Sequence, residues 1–175
     1  MKNNFIETER LLLRKIKETD AEPMFRNWAS DPEVTKYLTW PRHENIEVTR
    51  QVINYWLNEE KDSKTIRFII TLKDSDEPIG SIDVVRYIDD SPEIGYCLSR
   101  KYWNKGLMTE ACKAFSKYLF DKGFKKVLIK AVVENIGSNR VIEKCGFKFT
   151  HQEHLEHQSS FKPNPVTLNC YELIK

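Results

Sequence analysis

Two consecutive strand-to-helix junctions in the second half of the chain constrain its fold more than any other feature. The first is PEIGYCLSRKYWNKGLMTEACKAF, Pro92 to Phe115: an apolar run, a basic loop with one glycine, then a helical stripe. Met108, Ala111, Cys112, Phe115, Tyr118 and Leu119 fall at i, i+3, i+4, i+7, i+10 and i+11, which predicts a core-facing helix closed by Gly123. The second is AVVENIGSNRVIEKCGF, Ala131 to Phe147, where a strand runs into Asn135 and a Gly/Ser/Asn cluster opens a short helix that Gly146 ends. Strand-helix-strand-helix-strand in this order requires a parallel crossover, and neighbouring strands that each feed a helix at their carboxyl ends form a ligand crevice.

The flanks complete the class. RLLLRKI reads as a first strand. ETDAEPMFRNWA reads as a helix capped by Thr19 with Glu22 three residues on, and SDPEVTKYL repeats the device with Ser30 and Glu33. EVTRQVINYWLNEE is a longer helix with Val48, Val52, Trp56 and Ile53 on one face. TIRFIITL, PIGSIDVVRY and PEIGYCLS are strands separated by turn signals, and FKFTHQEHLE with TLNCYELI pairs as a final hairpin. The reading is an α/β (α+β) fold: a mixed, mostly antiparallel sheet of about six to seven strands with flanking helices. With 175 residues and no linker or repeat, the chain is expected to be a single domain, residues 1–175.

Composition excludes some partners. Lys plus Arg exceeds Asp plus Glu by 28 to 26, so no global field points to nucleic acid or to a membrane, and an anion must be met locally. The charged start, MKNNFIETERLLLRKIKETD, has neither the apolar core of a signal peptide nor the length of a span, so a cytoplasmic protein is expected. Cys97, Cys112, Cys145 and Cys170 have no C-x-x-C spacing and sit in apolar patterns, as reduced, buried thiols do.

The loop before Met108 places unpaired N–H groups and a positive dipole end beside Gly106, with Arg100, Lys101 and Lys105 nearby; such a point attracts phosphate. One glycine before a helix is also compatible with an ordinary loop. Asn135, Ser138 and Asn139 are equally at home as helix caps.

PEIGYCLSRKYWNKGLMTEA followed by ENIGSNRVIEKCGF resembles the GNAT superfamily of N-acetyltransferases, in the branch of the ribosomal-protein serine/alanine N-terminal acetyltransferases. ETERLLLRKIKETDAEPMFRNWASDPEVTKYL is similar to that branch's opening and YELIK to its last strand, so the resemblance spans nearly the whole chain in order. It implies a GNAT-like fold that binds acetyl-CoA and passes the acetyl group to a primary amine, on a small molecule or a protein N-terminus, by direct attack in a ternary complex. It implies no metal. The family's pyrophosphate loop falls on Trp103, Asn104, Lys105, Gly106, Leu107 and Met108, running into Thr109, with Arg100 beside it. Trp103 and Met108 depart from the consensus, which a loop working through backbone N–H groups tolerates. Tyr96, Cys97 and Leu98 correspond to backbone contacts with the pantetheine arm, and Asn135 and Asn139 to positions near pantetheine and adenosine.

The chemistry needs a neutral amine, a polarised thioester and a stabilised thiolate. An α-amine (pKa about 7.7–8) needs only a mild base at neutral pH, whereas a lysine amine near 10.4 must lose over three units of proton affinity. Glu93 is the carboxylate placed to serve, directly or through water; a solvated strand-end glutamate is the plain alternative. Many superfamily members place a tyrosine where this chain has Ile142, so thiolate stabilisation passes to Ser138, which could instead simply cap its helix. His151, His154 and His157 recur every third residue, but on a strand His154 faces away from the others and His151 and His157 lie about 20 Å apart, so no metal is expected. Trp40 and the segment Ser159 to Pro165 are candidate walls of the acceptor pocket. A non-catalytic acyl-CoA-binding regulatory domain is the alternative function; a nucleotide module lacks its G-x-x-x-x-G-K-[ST] loop. Acceptor identity, and monomer against homodimer, stay open.

Overall fold

The computed structural model describes residues 5–175 other than residue 63; residues 1–4, part of the charged start, lie outside the described residues. The strands are β1 (Phe5–Glu7), β2 (Leu11–Arg14), β3 (Arg67–Leu72), β4 (Pro78–Ile88), β5 (Ser91–Leu98), β6 (Lys126–Val132), β7 (Lys148–Leu155) and β8 (Val166–Ile174). They form one sheet in the order β1-β2-β3-β4-β5-β6-β8-β7, antiparallel everywhere except between β5 and β6. Eight strands exceed the expected six to seven because Phe5–Glu7, which pairs with β2, is too short to carry a period.

The helices divide between the two faces. Helices α4 (Leu107–Asp121) and α5 (Ile136–Lys144) cover one face, where Ala111, Phe115 and Leu119 pack with Leu13, Ile70, Ile82, Ile94 and Ile142. The opposite face carries a smaller cluster around Met24, Trp28 and Ile53, from the first helical segment and α3 (Ile46–Glu59). The period of two along β5 does the sorting: Ile94 and Leu98 enter the first cluster and Cys97 the second. All four cysteines are free and buried. Among the described residues no helix is long and apolar enough to cross a membrane.

The start of the chain is less regular than its pattern. Instead of one helix capped by Thr19, a 3-10 turn (Glu18–Asp20) leads into α1 (Ala21–Met24) and a π-helical turn (Phe25–Ala29). Asp20 takes the organising role: its carboxylate accepts from Lys17 N at 2.8 Å and from both Arg14 terminal nitrogens at 2.9 and 2.8 Å. Its neighbour Thr19 makes no cap bond. For α2 (Pro32–Thr35) the cap is Asp31, which accepts from Glu33 N at 2.9 Å; the expected cap, Ser30, donates back to Phe25 O at 2.7 Å. A carboxylate is the stronger acceptor and displaces the hydroxyl.

In the same region His43 is buried, with Nδ1 2.8 Å from Thr49 Oγ1, and burial lowers its pKa below the ordinary 6.5. The unfolded chain therefore binds the proton first. The stability from His43 is present above about pH 6.5 and is lost as pH falls toward the folded value. Thermal melts from neutral to about pH 5 should fall more steeply for the natural chain than for His43→Gln; parallel curves would contradict the assignment.

Candidate functional site

Strands β5 and β6 pair in parallel at only two places, Glu93 with Leu128 and Ile94 with Ile129. Past them β5 stays with β4, from Asp83–Gly95 to Gly80–Leu98, while β6 stays with β8, from Lys130–Cys170 to Val132–Leu168. The sheet therefore opens as a V whose vertex is Glu93–Ile94. One arm is Gly95–Leu98, which includes Tyr96, Cys97 and Leu98, and its edge toward β6 is free of the ladder. Gly80 makes this possible: a Cβ there would lie 2.3 Å from Cys97 O and 3.1 Å from Leu98 Cα, so β4 approaches β5 closely just where β5 leaves β6.

At the wide end of the V the chain reaches α4 through a 3-10 turn (Arg100–Tyr102) and two left-handed residues, Asn104 (φ 59°) and Gly106 (φ 76°). Gly106 occupies the N-cap with no side-chain cap bond, leaving the first-turn N–H groups of Leu107, Met108 and Thr109 without intrahelical acceptors. The loop is braced from outside. Arg10 donates to Lys105 O at 2.9 Å and to Glu110 Oε2 at 2.7 Å, and Trp103 Nε1 donates to Leu98 O at 2.8 Å. Arg100 is turned away, paired with Asp31 at 3.0 Å. These features fit an anion: free N–H groups, a helix dipole and a backbone that glycine leaves uncovered.

Across the V, α5 begins at Asn135, whose side chain accepts from Ser138 N at 3.2 Å. Asn135 is thus the cap, and the hydroxyl of Ser138 is released from that duty. It lies 3.0 Å from Tyr96 Oη, which also reaches Ser138 O at 3.3 Å. Burial holds the Tyr96 phenol far above its ordinary value, so it acts as a neutral hydrogen-bonding group. Asn139 is committed internally: it donates to Val132 O and Asn135 O at 2.9 and 2.8 Å and accepts from Asn169 and Tyr171 at 2.9 and 2.6 Å. With both N–H groups and both lone pairs used, it clamps α5 to β6 and β8. Ile142 is fully buried in the core.

On the face opposite α4 and α5 the vertex carries charge. Glu93 is no solvated strand end; it is 3% exposed. Its Oε1 accepts from Arg86 Nε and Nη2 at 2.9 and 2.8 Å, while Oε2 lies 3.4 Å from Lys130 Nζ and has no hydrogen-bond partner among the described residues. Lys130 Nζ instead donates to both oxygens of Glu153 at 3.0 and 2.9 Å. Sequence reasoning missed a second carboxylate. Asp83 stands opposite Gly95 on the same face, 3.2 Å from Arg67, and burial raises its pKa against the pull of that guanidinium. The IDDSP turn alone would not have found it: its register carried on sets Asp83 opposite Tyr96, and the bulge between Val84 and Arg86 brings Asp83 opposite Gly95 instead. Cys97 shares this face, but burial pushes its thiol up to about 11, with Ser81 Oγ 3.3 Å away, so it is no nucleophile at neutral pH.

The two expected walls of the acceptor side meet. Gln158 Nε2 donates to Tyr37 O at 2.8 Å, Ser159 Oγ to Thr39 O at 2.6 Å and Lys162 Nζ to Lys36 O at 2.9 Å. The β7–β8 loop is thus latched to the segment leading to Trp40, which packs on His43 with ring centroids 5.2 Å apart. The three histidines do not gather: His154 Nδ1 lies by Thr167 Oγ1, and His157 by Pro163 O.

Residues 10–148 match the family described as Acetyltransferase (GNAT) domain. The chain belongs to the GNAT acetyltransferase family. It is 32% identical over 144 residues to the uncharacterized N-acetyltransferase p20 of Bacillus licheniformis, covering 81% of this chain and 80% of that protein. The crystal structure of a GNAT-family acetyltransferase from Bacillus anthracis superposes with a TM-score of 0.81 at 28% identity, covering 97% of this chain and 98% of that one. RimL, a ribosomal L7/L12 α-N-protein acetyltransferase solved in complex with coenzyme A, shares the fold with a TM-score of 0.82 at 19% identity, covering 97% of each chain. As a GNAT acetyltransferase the chain is an acyltransferase that takes acetyl-CoA as donor and an amine as acceptor, with no metal required for transfer.

Proposed function

We propose that this GNAT site joins acetyl-CoA and a primary amine in a ternary complex at the vertex of the V, with Glu93 as the base. The observation that carries the reading is Glu93 Oε2, a buried carboxylate oxygen without a hydrogen-bond partner among the described residues, at the point where β5 and β6 part. A buried acceptor left open in this way is suited to a ligand N–H or a bridging water. The loop from Trp103 to Thr109 holds the pyrophosphate through its N–H groups, and the free edge of Tyr96–Leu98 holds the pantetheine arm and polarises the thioester carbonyl. The amine enters from the face bearing Glu93 and Asp83, beside Gly95, where the Val85 side chain takes the space a side chain would fill. As the C–N bond forms and the C–S bond breaks, the amine's proton passes to Glu93, directly or through water.

The leaving thiolate is met by Ser138. Tyr96 spends its proton on Ser138 O, so in the resting site the Ser138 hydroxyl donates to Tyr96 Oη, and it turns to sulfur as the thiolate forms. Ser138→Ala should lower kcat roughly 10-fold or more, the worth of a hydrogen bond to a charged group. Tyr96→Phe should cost less. The double variant should be no slower than Ser138→Ala, since Tyr96 acts through Ser138; multiplied effects would separate the two.

The acceptor class in this reading is an exposed α-amine, of a protein N-terminus or a small molecule, because one open carboxylate oxygen suffices for an amine with pKa about 7.7–8. RimL, an α-N-protein acetyltransferase, agrees with it in acceptor class. The cytoplasm is the expected site of action. A panel of peptides and small amines, scored by mass spectrometry for acetylation at the α- or side-chain nitrogen, tests the assignment; exclusive acetylation of lysine side chains would overturn it.

A further inference from the structure

We infer that His151, Glu153 and Cys170 form a binding site for one divalent transition-metal ion of the zinc class, set beside the proposed base and acting on it, not as a cofactor of transfer. The register puts His151 directly across from Cys170 on the paired strands β7 and β8, and Glu153 two residues along β7 joins them. A ring nitrogen of His151, a carboxylate oxygen of Glu153 and Cys170 Sγ all lie within 4.8 Å of one another. Nitrogen, carboxylate oxygen and sulfur are the three donor types zinc accepts, leaving a fourth position for water.

The orientation of His151 adds an independent argument. Thr150 Oγ1 donates to Cys170 O at 3.1 Å and lies 2.9 Å from His151 Nδ1. A hydroxyl has one proton, and it is spent on that carbonyl, so Nδ1 must carry the hydrogen of this contact. Nε2 is then the free lone pair, and it faces Glu153 Oε1 at 3.5 Å. Glu153 Oε1 now accepts from Lys130 Nζ at 3.0 Å, and a metal between the two acceptors would take the place of that ammonium. Their separation matches the edge of a tetrahedron, roughly 3.4 Å for bonds of about 2.1 Å, and the Thr150 contact is the kind of outer support that fixes a metal-bound imidazole.

The occupant has a consequence for Glu93. Lys130 now spends its ammonium on Glu153 and stands 3.4 Å from the open Glu93 Oε2. A metal that captures Glu153 takes away that partner, and the remaining carboxylate within reach is Glu93. Lys130 then closes the oxygen assigned to the amine proton. Cys170 enters as thiolate, its proton going to buffer. Binding is independent of the proposed base; only the effect on rate rests on that reading.

The test uses the full reduced chain and cobalt(II) or zinc(II) alone. The expected result is one equivalent of cobalt bound, with a thiolate-to-cobalt charge-transfer band that zinc displaces. His151→Ala, a change at an exposed side chain, and Cys170→Ser should abolish the band, and Thr150→Val should weaken binding roughly 10-fold, within the range seen for lost outer-shell bonds. Circular dichroism on each variant separates loss of the site from loss of the fold. No saturable binding, or binding unchanged in His151→Ala, overturns the site. Zinc should also slow acetyl transfer in the natural chain and not in His151→Ala; if zinc binds and the rate is unchanged, the link from Lys130 to Glu93 is wrong while the site stands.

Discussion

Replacing Glu93 by glutamine is expected to lower kcat/KM by roughly 10²- to 10⁴-fold, the usual contribution of a positioned proton acceptor. Glutamine keeps the shape and can still meet Arg86 through its amide oxygen, but it cannot take a proton. Binding of acetyl-CoA should change little, because the donor is held by the Trp103–Thr109 loop and by the backbone of β5, on the other side of the V. The loss should therefore appear in kcat with a pH-rate profile of altered shape. Neutralising Glu93 also leaves Arg86 and Lys130 facing an uncharged amide, so a melt must accompany the kinetics. A folded Glu93→Gln variant with full rate and the natural pH profile would move the base elsewhere. Asp83, across Gly95 and with a raised pKa, would then be the first residue to test in the same way.

The second large effect is structural in origin and catalytic in consequence. Gly80→Ala would put a methyl group 2.3 Å from Cys97 O and 3.1 Å from Leu98 Cα, atoms of the backbone that no rotamer change can move aside. Strand β5 must shift away from β4, into the gap that should receive the pantetheine arm. Overpacking of this kind costs roughly 1–3 kcal/mol, which for a chain of this size is a fall in Tm of roughly 2–12 °C. The affinity for coenzyme A should fall as well. Gly95→Ala is the control: its Cβ would meet Val85 Cγ1 at 3.0 Å and Asp83 Oδ1 at 4.0 Å, side-chain atoms that can give way, so its effect on stability should be smaller. Equal melts and equal coenzyme A affinity for Gly80→Ala and the natural chain would contradict the close approach.

Much of this architecture was legible because the informative elements are long and strongly patterned. The stripe from Met108 to Leu119 fixes the buried face of α4, and Gly106 and Gly123, both with positive φ, mark its ends as expected. The stretch before α3 was less legible. Its helical pieces are three to five residues long and include a π turn, so no period has room to repeat, and aspartates outcompete the hydroxyl caps that the pattern suggests.

The site divides in the same way. Glu93 and Ser138 were candidates by motif position, and the strand arm and glycine loop by the resemblance. The roles of their neighbours depend on pairing across the sheet, which a single strand's pattern does not encode. Asp83 faces the site because β4 and β5 register Asp83 with Gly95. Tyr96 meets Ser138 because the V brings β5 against the start of α5. Asn139, matched to a cofactor position, finds four partners on three elements and becomes a clamp. Arg100, expected near the phosphates, is drawn to Asp31 by a salt bridge that joins residues far apart in the chain.

The most direct test of the whole account is a single reaction. Purified protein is given acetyl-CoA with and without a panel of α-amines, and free thiol and acetylated amine are measured together. Thiol is expected to be released in step with acetylated product, only when an amine is present, with no acetyl group on the protein at any time. Tight binding of acetyl-CoA with no amine-dependent turnover across the panel would contradict it, and would mark the chain as a GNAT domain that holds its donor without transferring from it.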